Sequence, residues 1–285
     1  MDYARQFPVE KMCKVFEVSR SGYYKWKQNR SIKHIEVNEL NEKIKIGFKA
    51  NKSRYGSPRL AVYLATKGIF LSKATVGRKM KSLKLIARRK RRFKVTTQSN
   101  HRYAIAPNLL NRVFDVDEPG TAWVSDITYI KVSNSWLYLT VIIDLADRMV
   151  LGWSLSRDMS AKNTTIQAFI NACKFRKPKA HAIFHSDRGV QFACNDFKTL
   201  LARYNMKQSM SRRGDCWDNA VAESFFKTIK VELIYDVSLK NYEETYTAIF
   251  SYINGYYNTV RIHSALDNIT PLDAFIKKTK YIYAA

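Results

Sequence analysis

Residues 122–144 read AWVSDITYIKVSNSWLYLTVIID. Valine, isoleucine, tyrosine, tryptophan and threonine fill both ends, and the polar trio Ser133, Asn134 and Ser135 interrupts them. Two β-branched and aromatic runs around a short polar break predict a hairpin, with strands over Ala122–Val132 and Trp136–Asp144. Val150–Leu155 predicts a third strand. Beyond it the spacing predicts a helix over Asn163–Phe175, a short buried strand over Ala182–His185 and a helix over Asp196–Tyr204. Asn219–Ile234 and Tyr242–Tyr257 predict two more helices. The second part of the chain is therefore expected to be an α/β domain.

Three acidic residues stand at telling points of this plan. Asp126 lies in AWVSDITYI, Asp187 in HSDRGVQF and Glu223 in DNAVAESFFKTIK, with 35 residues between the last two. Hard divalent cations bind oxygen ligands, and a carboxylate cluster suits metal-assisted phosphodiester chemistry. The first acid falls on the first predicted strand, the second just after the fourth strand, and the third on a later helix. That is the arrangement of an RNase H-like fold of the retroviral-integrase type.

The charge points to an anionic polymer. The chain carries 49 Lys and Arg against 24 Asp and Glu, a formal net charge of +25. Residues 1–110 hold 27 of the basic and 6 of the acidic side chains, so the excess sits in the first part. That part reads as helical. Residues 1–35 are expected to form a helix-turn-helix-like segment, with Val9, Met12, Cys13 and Phe16 at helical spacing, a turn over Ser19–Gly22, then Tyr23, Tyr24 and Trp26. Residues 36–106 are expected to form a basic helical DNA-binding domain. Ser57 and Pro58 predict a helix start, Gly68 its end, and Ser72 the cap of the next helix. Arg78 and Lys79 lie on that last helix. ARRKRRFK, residues 87–94, adds Arg88, Arg89, Lys90, Arg91 and Arg92, which are expected to grip phosphates. Residues 107–120 read as a linker and 121–280 as the catalytic domain. Four scattered cysteines without a C-x-x-C pair exclude a zinc module or disulfide scaffold and fit a reducing compartment. No signal peptide or membrane-length apolar run is seen, so a cytoplasmic protein is expected.

At this point the motifs are recognisable. SRYGSPRL, TVGRKMKSLKL, WVSDITYI, HSDRGVQF, SRRGDCWDNAVAESFFKTIKVE and YINGYYNTVRIHSALDNITPLDAF occur in order along nearly the whole chain. The chain resembles the DDE transposases of insertion sequences, specifically the second-frame (OrfB) product of the IS-three family. The resemblance implies that Asp126, Asp187 and Glu223 are catalytic and hold two Mg²⁺ ions, with Mn²⁺ able to substitute. It implies DNA partners, namely terminal repeats and target DNA, an assembly of several copies on DNA, and fusion or association with an upstream first-frame protein. It also implies a bacterial protein that is nucleoid-associated when on DNA. A same-fold nuclease and a non-catalytic DNA-binding regulator are the alternative readings.

Lys227 and Lys230 follow Glu223 at four and seven positions, on the same helical face, as candidate phosphate contacts. The resemblance implies a basic residue at the Lys230 position in that role. Arg212, Arg213 and Trp217 precede the helix; the two arginines suggest a basic loop over the site. Trp217 either stacks on an unpaired base or packs the helix onto the sheet. Asp218 and Asn219 are expected to cap that helix. His185 points the same way as Asp187 on an extended strand, and either helps orient the site or is a hydrogen-bonded core histidine. Asp144 reads as structural. Arg261 and His263, in NTVRIHSAL, read equally as DNA-proximal or structural. The N-terminal part has only His34, His101 and Cys13, far apart, so the His/Cys zinc module of retroviral integrases is absent.

Overall fold

A computed structural model describes residues 7–87, 103–133 and 135–283. The chain divides into two compact units, residues 1–88 and 89–285. Arg88, Arg89, Lys90, Arg91 and Arg92 lie outside the described residues.

The first unit is helical. α1 (Val9–Val15) is followed by a turn in which Glu17 takes a left-handed backbone, and α2 runs from Arg20 to Ala50. Ser19 is the N-cap of α2: its hydroxyl accepts the Gly22 backbone N–H at 3.0 Å. The turn therefore precedes Ser19 rather than spanning Ser19–Gly22, because a serine that caps the first helical turn cannot also form the bend. The expected boundary between residues 35 and 36 falls inside this continuous helix.

α3 (Ser57–Ala65) begins one residue earlier than its Ser-Pro signal predicts. Gly56 takes the extended cap position, so Ser57 and Pro58 are the first two helical residues. Gly68, at φ +76°, ends the turn after α3 where an L side chain would be strained. Ser72 caps α4 (Lys73–Ser82) by accepting the Thr75 N–H at 3.1 Å. Leu60, Ala61 and Leu64 of α3, Val76 and Met80 of α4, and Ile44 and Phe48 of α2 are buried. Arg78 is left exposed on α4 and Lys79 half-buried. The helix thus keeps an apolar seam and a basic outer face.

The second unit is built on a five-stranded sheet in the order β3-β2-β1-β4-β5. β1 (Ala122–Val132), β2 (Ser135–Asp144) and β3 (Val150–Ser156) form the antiparallel meander. β4 (Ile183–Ser186) and β5 (Lys207–Met210) add in parallel on the other side of β1. α5 (Gln167–Phe175), the short α6 (Val190–Ala193) and α7 (Asn195–Arg203) pack a core of Trp123, Ile142, Phe169, Phe184 and Phe197 on one face. α8 (Ala220–Ile229) and α9 (Tyr242–Tyr252) pack Val124, Val141, Phe225, Ile229 and Ile249 on the other. α10 (Pro271–Tyr283) closes the chain. This is a mixed α/β sheet covered on both faces, the RNase H-like architecture expected from the element order. The helices expected over Asn163–Phe175, Asn219–Ile234 and Tyr242–Tyr257 each contain a π-helical turn, at Lys162–Ile166, Lys230–Ile234 and Ile253–Tyr257.

Asp144 is structural, as its position at the end of β2 suggests. It is fully buried and accepts from the Gly120 N–H at 2.7 Å, the Ala146 N–H at 3.0 Å and Arg176 at 2.6 Å. A buried carboxylate is tolerable only when so satisfied.

Gly152 marks the tightest contact between sheet and helix. A Cβ there would lie 2.3 Å from the Ala172 backbone nitrogen and 2.5 Å from the Ala168 carbonyl oxygen of α5. Both obstacles are backbone, so α5 would have to move off β3. Gly152→Ala should lower unfolding free energy by roughly 2–4 kcal/mol. Urea denaturation checks this; a loss under about 0.5 kcal/mol would mean that α5 shifts freely.

Candidate active site

Three elements of the second unit deliver the three acids. Asp126 lies in the middle of β1. In the parallel β1–β4 pair, Ala122 faces Ile183 and Val124 faces His185. The same register carried two residues further sets Asp126 abreast of Asp187, which follows directly after β4. Glu223 lies in the first turn of α8, whose buried face is Ala222, Phe225, Phe226 and Ile229. All three carboxylates are half-buried.

Their charges act on one another. Burial raises the Asp126 carboxyl well above the usual range; Asp187 and, more weakly, Glu223 push it the same way, while Lys230 and the Ile127 N–H oppose them. Burial lowers Lys230, and Asp126 counters that shift. Asp126, Asp187, Glu223 and Lys230 therefore share one electrostatic neighbourhood. Lys227 pairs with Glu223 at 3.4 Å across one helical turn.

Local contacts set each acid. The Asp126 carboxylate accepts the Ile127 N–H at 2.8 Å. Asp187 accepts the Gly189 N–H at 2.9 Å, and a Cβ on Gly189 would lie 3.0 Å from the same oxygen, so the glycine leaves room for the carboxylate. Asn219 donates from its side-chain amide to the Ser125 carbonyl at 3.0 Å, tying the start of α8 to the residue before Asp126.

The loop before α8 departs from its expected form. Neither Asp218 nor Asn219 caps α8 with its side chain. The fully buried Asp218 accepts from Arg212 Nε at 2.9 Å, from the Arg212 backbone N–H at 2.8 Å, from Arg112 Nε at 2.8 Å and from Asn108 at 2.9 Å. These hydrogen bonds hold its carboxyl well below the usual range, with Arg212 the largest contributor. A carboxylate so surrounded has no lone pairs left for the helix end. Arg112 also pairs with Asp215. Arg212 thus fastens the loop from its exposed side through Asp218, and Arg213 and Trp217 are exposed too, Trp217 at 68%. Trp217 does not pack the helix onto the sheet.

His185 is a core histidine. It is fully buried, with Nδ1 2.8 Å from the Ser209 hydroxyl and Nε2 3.1 Å from that of Ser211. Arg261 and His263 belong to a second buried network: Arg261 holds Glu232 through Nε at 3.1 Å and through its terminal nitrogen at 3.0 Å, Tyr252 donates to Glu232 at 2.8 Å, and His263 lies 3.0 Å from Arg261. Glu232 sits in the π-turn that begins at Lys230, so this network steadies the end of the helix carrying Glu223. Sequence reasoning did not identify Arg112, Asn219 and Glu232 in these linking roles. Their partners are 106, 94 and 29 positions away in the chain, beyond any local pattern.

The three carboxylates are suitable donors for a hard cation. They are oxygen ligands that repel one another, and positive charge would relieve the strain on Asp126. Among the described residues no three His, Cys, Asp or Glu side chains stand as a ready-made metal-binding group.

Known proteins place the chain. The integrase core domain matches residues 116–216 and again 204–271, and an HTH-like domain matches residues 36–93. The chain is 39% identical over 261 residues to the insertion element IS600 uncharacterized 31 kDa protein of Shigella sonnei, covering 91% of this chain and 96% of that protein. It is 36% identical over 269 residues to transposase InsF for insertion sequence IS3A of Escherichia coli strain K12, covering 93% of each. The chain belongs to the IS3 family of transposases. Its second unit is an integrase core, which makes this IS3-family member an enzyme of the polynucleotidyl transferase type. Among solved structures, the HTLV-2 integrase catalytic core domain in complex with magnesium aligns with 55% of this chain and 97% of that one, at 19% identity and a TM-score of 0.42. No described helix of this transposase is long and apolar enough to cross a membrane.

His185 links the core to pH. Burial lowers its imidazole from the ordinary 6.5 to about 4. Between those values the unfolded chain binds the extra proton, so stability is lost as pH falls from 6.5 toward 4. Asp147, raised to about 6 by burial and by Asp144, acts in the opposite direction below pH 6. Comparison with His185→Gln isolates the first effect. From pH 7 to pH 5 the wild type should lose roughly 2 kcal/mol more than the variant in urea denaturation; parallel losses would mean that the buried ring takes its proton freely.

Proposed function

We propose that this transposase cuts the ends of an insertion sequence and joins the resulting DNA 3′-OH to a target strand, with divalent metal held by Asp126, Asp187 and Glu223. The observation that carries the reading is the convergence of these three carboxylates with Lys230 in one electrostatic neighbourhood, inside an integrase core. Two Mg²⁺ ions, or Mn²⁺ in their place, would supply a polarised attacking oxygen and charge stabilisation at the leaving oxygen of an in-line displacement. The side chains hold and orient. Asp126 comes from β1 and Asp187 from the residue just after β4, and they form the rigid half of the site. Glu223 comes from a helix and pairs with Lys227 until positive charge competes for it. Lys230, beside Asp126, holds a phosphate of the cut strand, and Lys227 becomes a second phosphate contact once released. Arg213 and Trp217 contact the DNA end from the exposed loop, while Arg212 keeps that loop in shape.

Recognition of the terminal repeats is assigned to the first unit, with Arg78 and Lys79 of α4 directed at DNA and the basic run Arg88–Arg92 adding phosphate contacts. Two element ends must meet for joining, so the active form is a DNA-bound assembly of several copies, in association or fusion with an upstream first-frame protein.

Glu223→Gln should lower both cleavage and joining of labelled element ends by roughly 10³-fold, a loss of several kcal/mol of transition-state stabilisation, with the melting temperature little changed. Unchanged cleavage by the variant would remove Glu223 from the metal site. DNA affinity of the full chain should fall steeply and log-linearly with salt. A flat response would contradict phosphate gripping by the basic first unit.

A further inference from the structure

We propose that Tyr129, Tyr138 and Trp136, with Lys131, form a stacking surface for unpaired nucleotides of the DNA strand that lies beside Asp187. The inference rests on the DNA reading of the site given above, and adds to it a binding surface on the β1–β2 hairpin.

The β1–β2 hairpin outruns β4. β4 pairs with β1 only at Ala122–Val124, whereas β1 continues paired with β2 as far as Val132. The protruding part sets Tyr129 opposite Tyr138 and Lys131 opposite Trp136, all on one face of the ribbon. The rings form a cluster: Tyr129 and Tyr138 meet edge to face at 5.2 Å, and Tyr129 and Trp136 at 6.3 Å. Such pairs stabilise a hairpin, yet Trp136 keeps 52% of its surface in water and Lys131 is exposed. A large ring left open next to a cation offers what a nucleotide needs, a π-face for the base and a charge for the phosphate.

The cluster is joined to the site. The Tyr129 hydroxyl donates to the Met159 sulfur at 3.2 Å, and the Met159 carbonyl accepts from Gln191 at 3.1 Å, two residues from Gly189, whose N–H bonds Asp187. The charge of Asp187 reaches the phenol itself: after burial and Tyr138, it is the third influence raising Tyr129. Strand alternation turns these rings to the face of β1 opposite the Asp126 side chain, toward Met159 and Gln191, so the nucleotides that stack there are those flanking the phosphate at Asp187. Stacking without base-edge hydrogen bonds makes the surface tolerant of sequence and selective for unpaired ends over paired ones.

The test uses the full chain in EDTA, with a labelled DNA duplex carrying a short unpaired thymidine tail and the same duplex with a blunt end. Trp136→Ala should bind the tailed duplex about tenfold more weakly and the blunt duplex as the wild type does. Trp136→Phe should keep most of the affinity, and Trp136→Leu, which preserves apolar bulk without a π-face, should behave like the alanine variant. Equal binding of the tailed duplex by wild type and Trp136→Leu overturns the proposal, as does an equal loss on both duplexes. Cleavage by the wild type in Mg²⁺ is scored separately. A wild type that loses its preference for the tail on substitution but never cuts would sink the transposition chemistry and leave the stacking surface standing; a wild type that cuts, with no tail effect in the variants, would do the reverse.

Discussion

Two carboxylates brought together by adjacent parallel strands, one within β1 and one just past β4, are the constraint on which the rest of the second unit depends. The β1–β4 register, which ends at Val124 and His185, points Asp126 toward Asp187, and burial makes their repulsion costly. Within the strands only the Ile127 N–H offsets part of that cost among the described contacts. The surrounding structure must therefore hold both backbones firmly and bring positive charge near. Buried aromatic rings on one sheet face and the α8–α9 core on the other supply the rigidity. Lys230 supplies charge beside Asp126, and Lys227 supplies it at Glu223.

The third acid reaches this pair by a longer route. A helix has no ladder of hydrogen bonds to a strand, so α8 needs separate fastenings. Its start is tied to β1 through Asn219 and Ser125, and the loop before it is clenched around Asp218 by Arg112 and Arg212. Its far end continues into a π-turn whose Glu232 is locked by Arg261 and Tyr252. Charged groups serve two purposes here. Asp218 and Glu232 are buried and fully engaged, and act through geometry. Asp126, Asp187 and Glu223 are only half-buried.

Much of this plan was legible in the chain. The polar break at Ser133–Ser135 between two β-rich runs marked the hairpin, and the order of the later elements marked an RNase H-like core. The motifs around Asp126, Asp187 and Glu223 singled out the acids without any structure. Where reading along the chain went astray, a side chain had been claimed by a distant partner. Asp218 looked like a helix cap because a local pattern predicts local bonds; Arg112 and Asn108 draw it elsewhere.

The sequence by itself determined the element types, the family and the uneven charge, and it singled out three acids as candidates, since periodicity, composition and motif spacing are properties of neighbouring residues. Only the tertiary structure decided which acids lie side by side, which arginines hold the scaffold, and where aromatic rings such as Trp136 stay open to water. Those outcomes turn on strand register and on contacts between residues as much as 110 positions apart. Burial and Coulomb energies depend on distance in space, and distance along the chain does not set them.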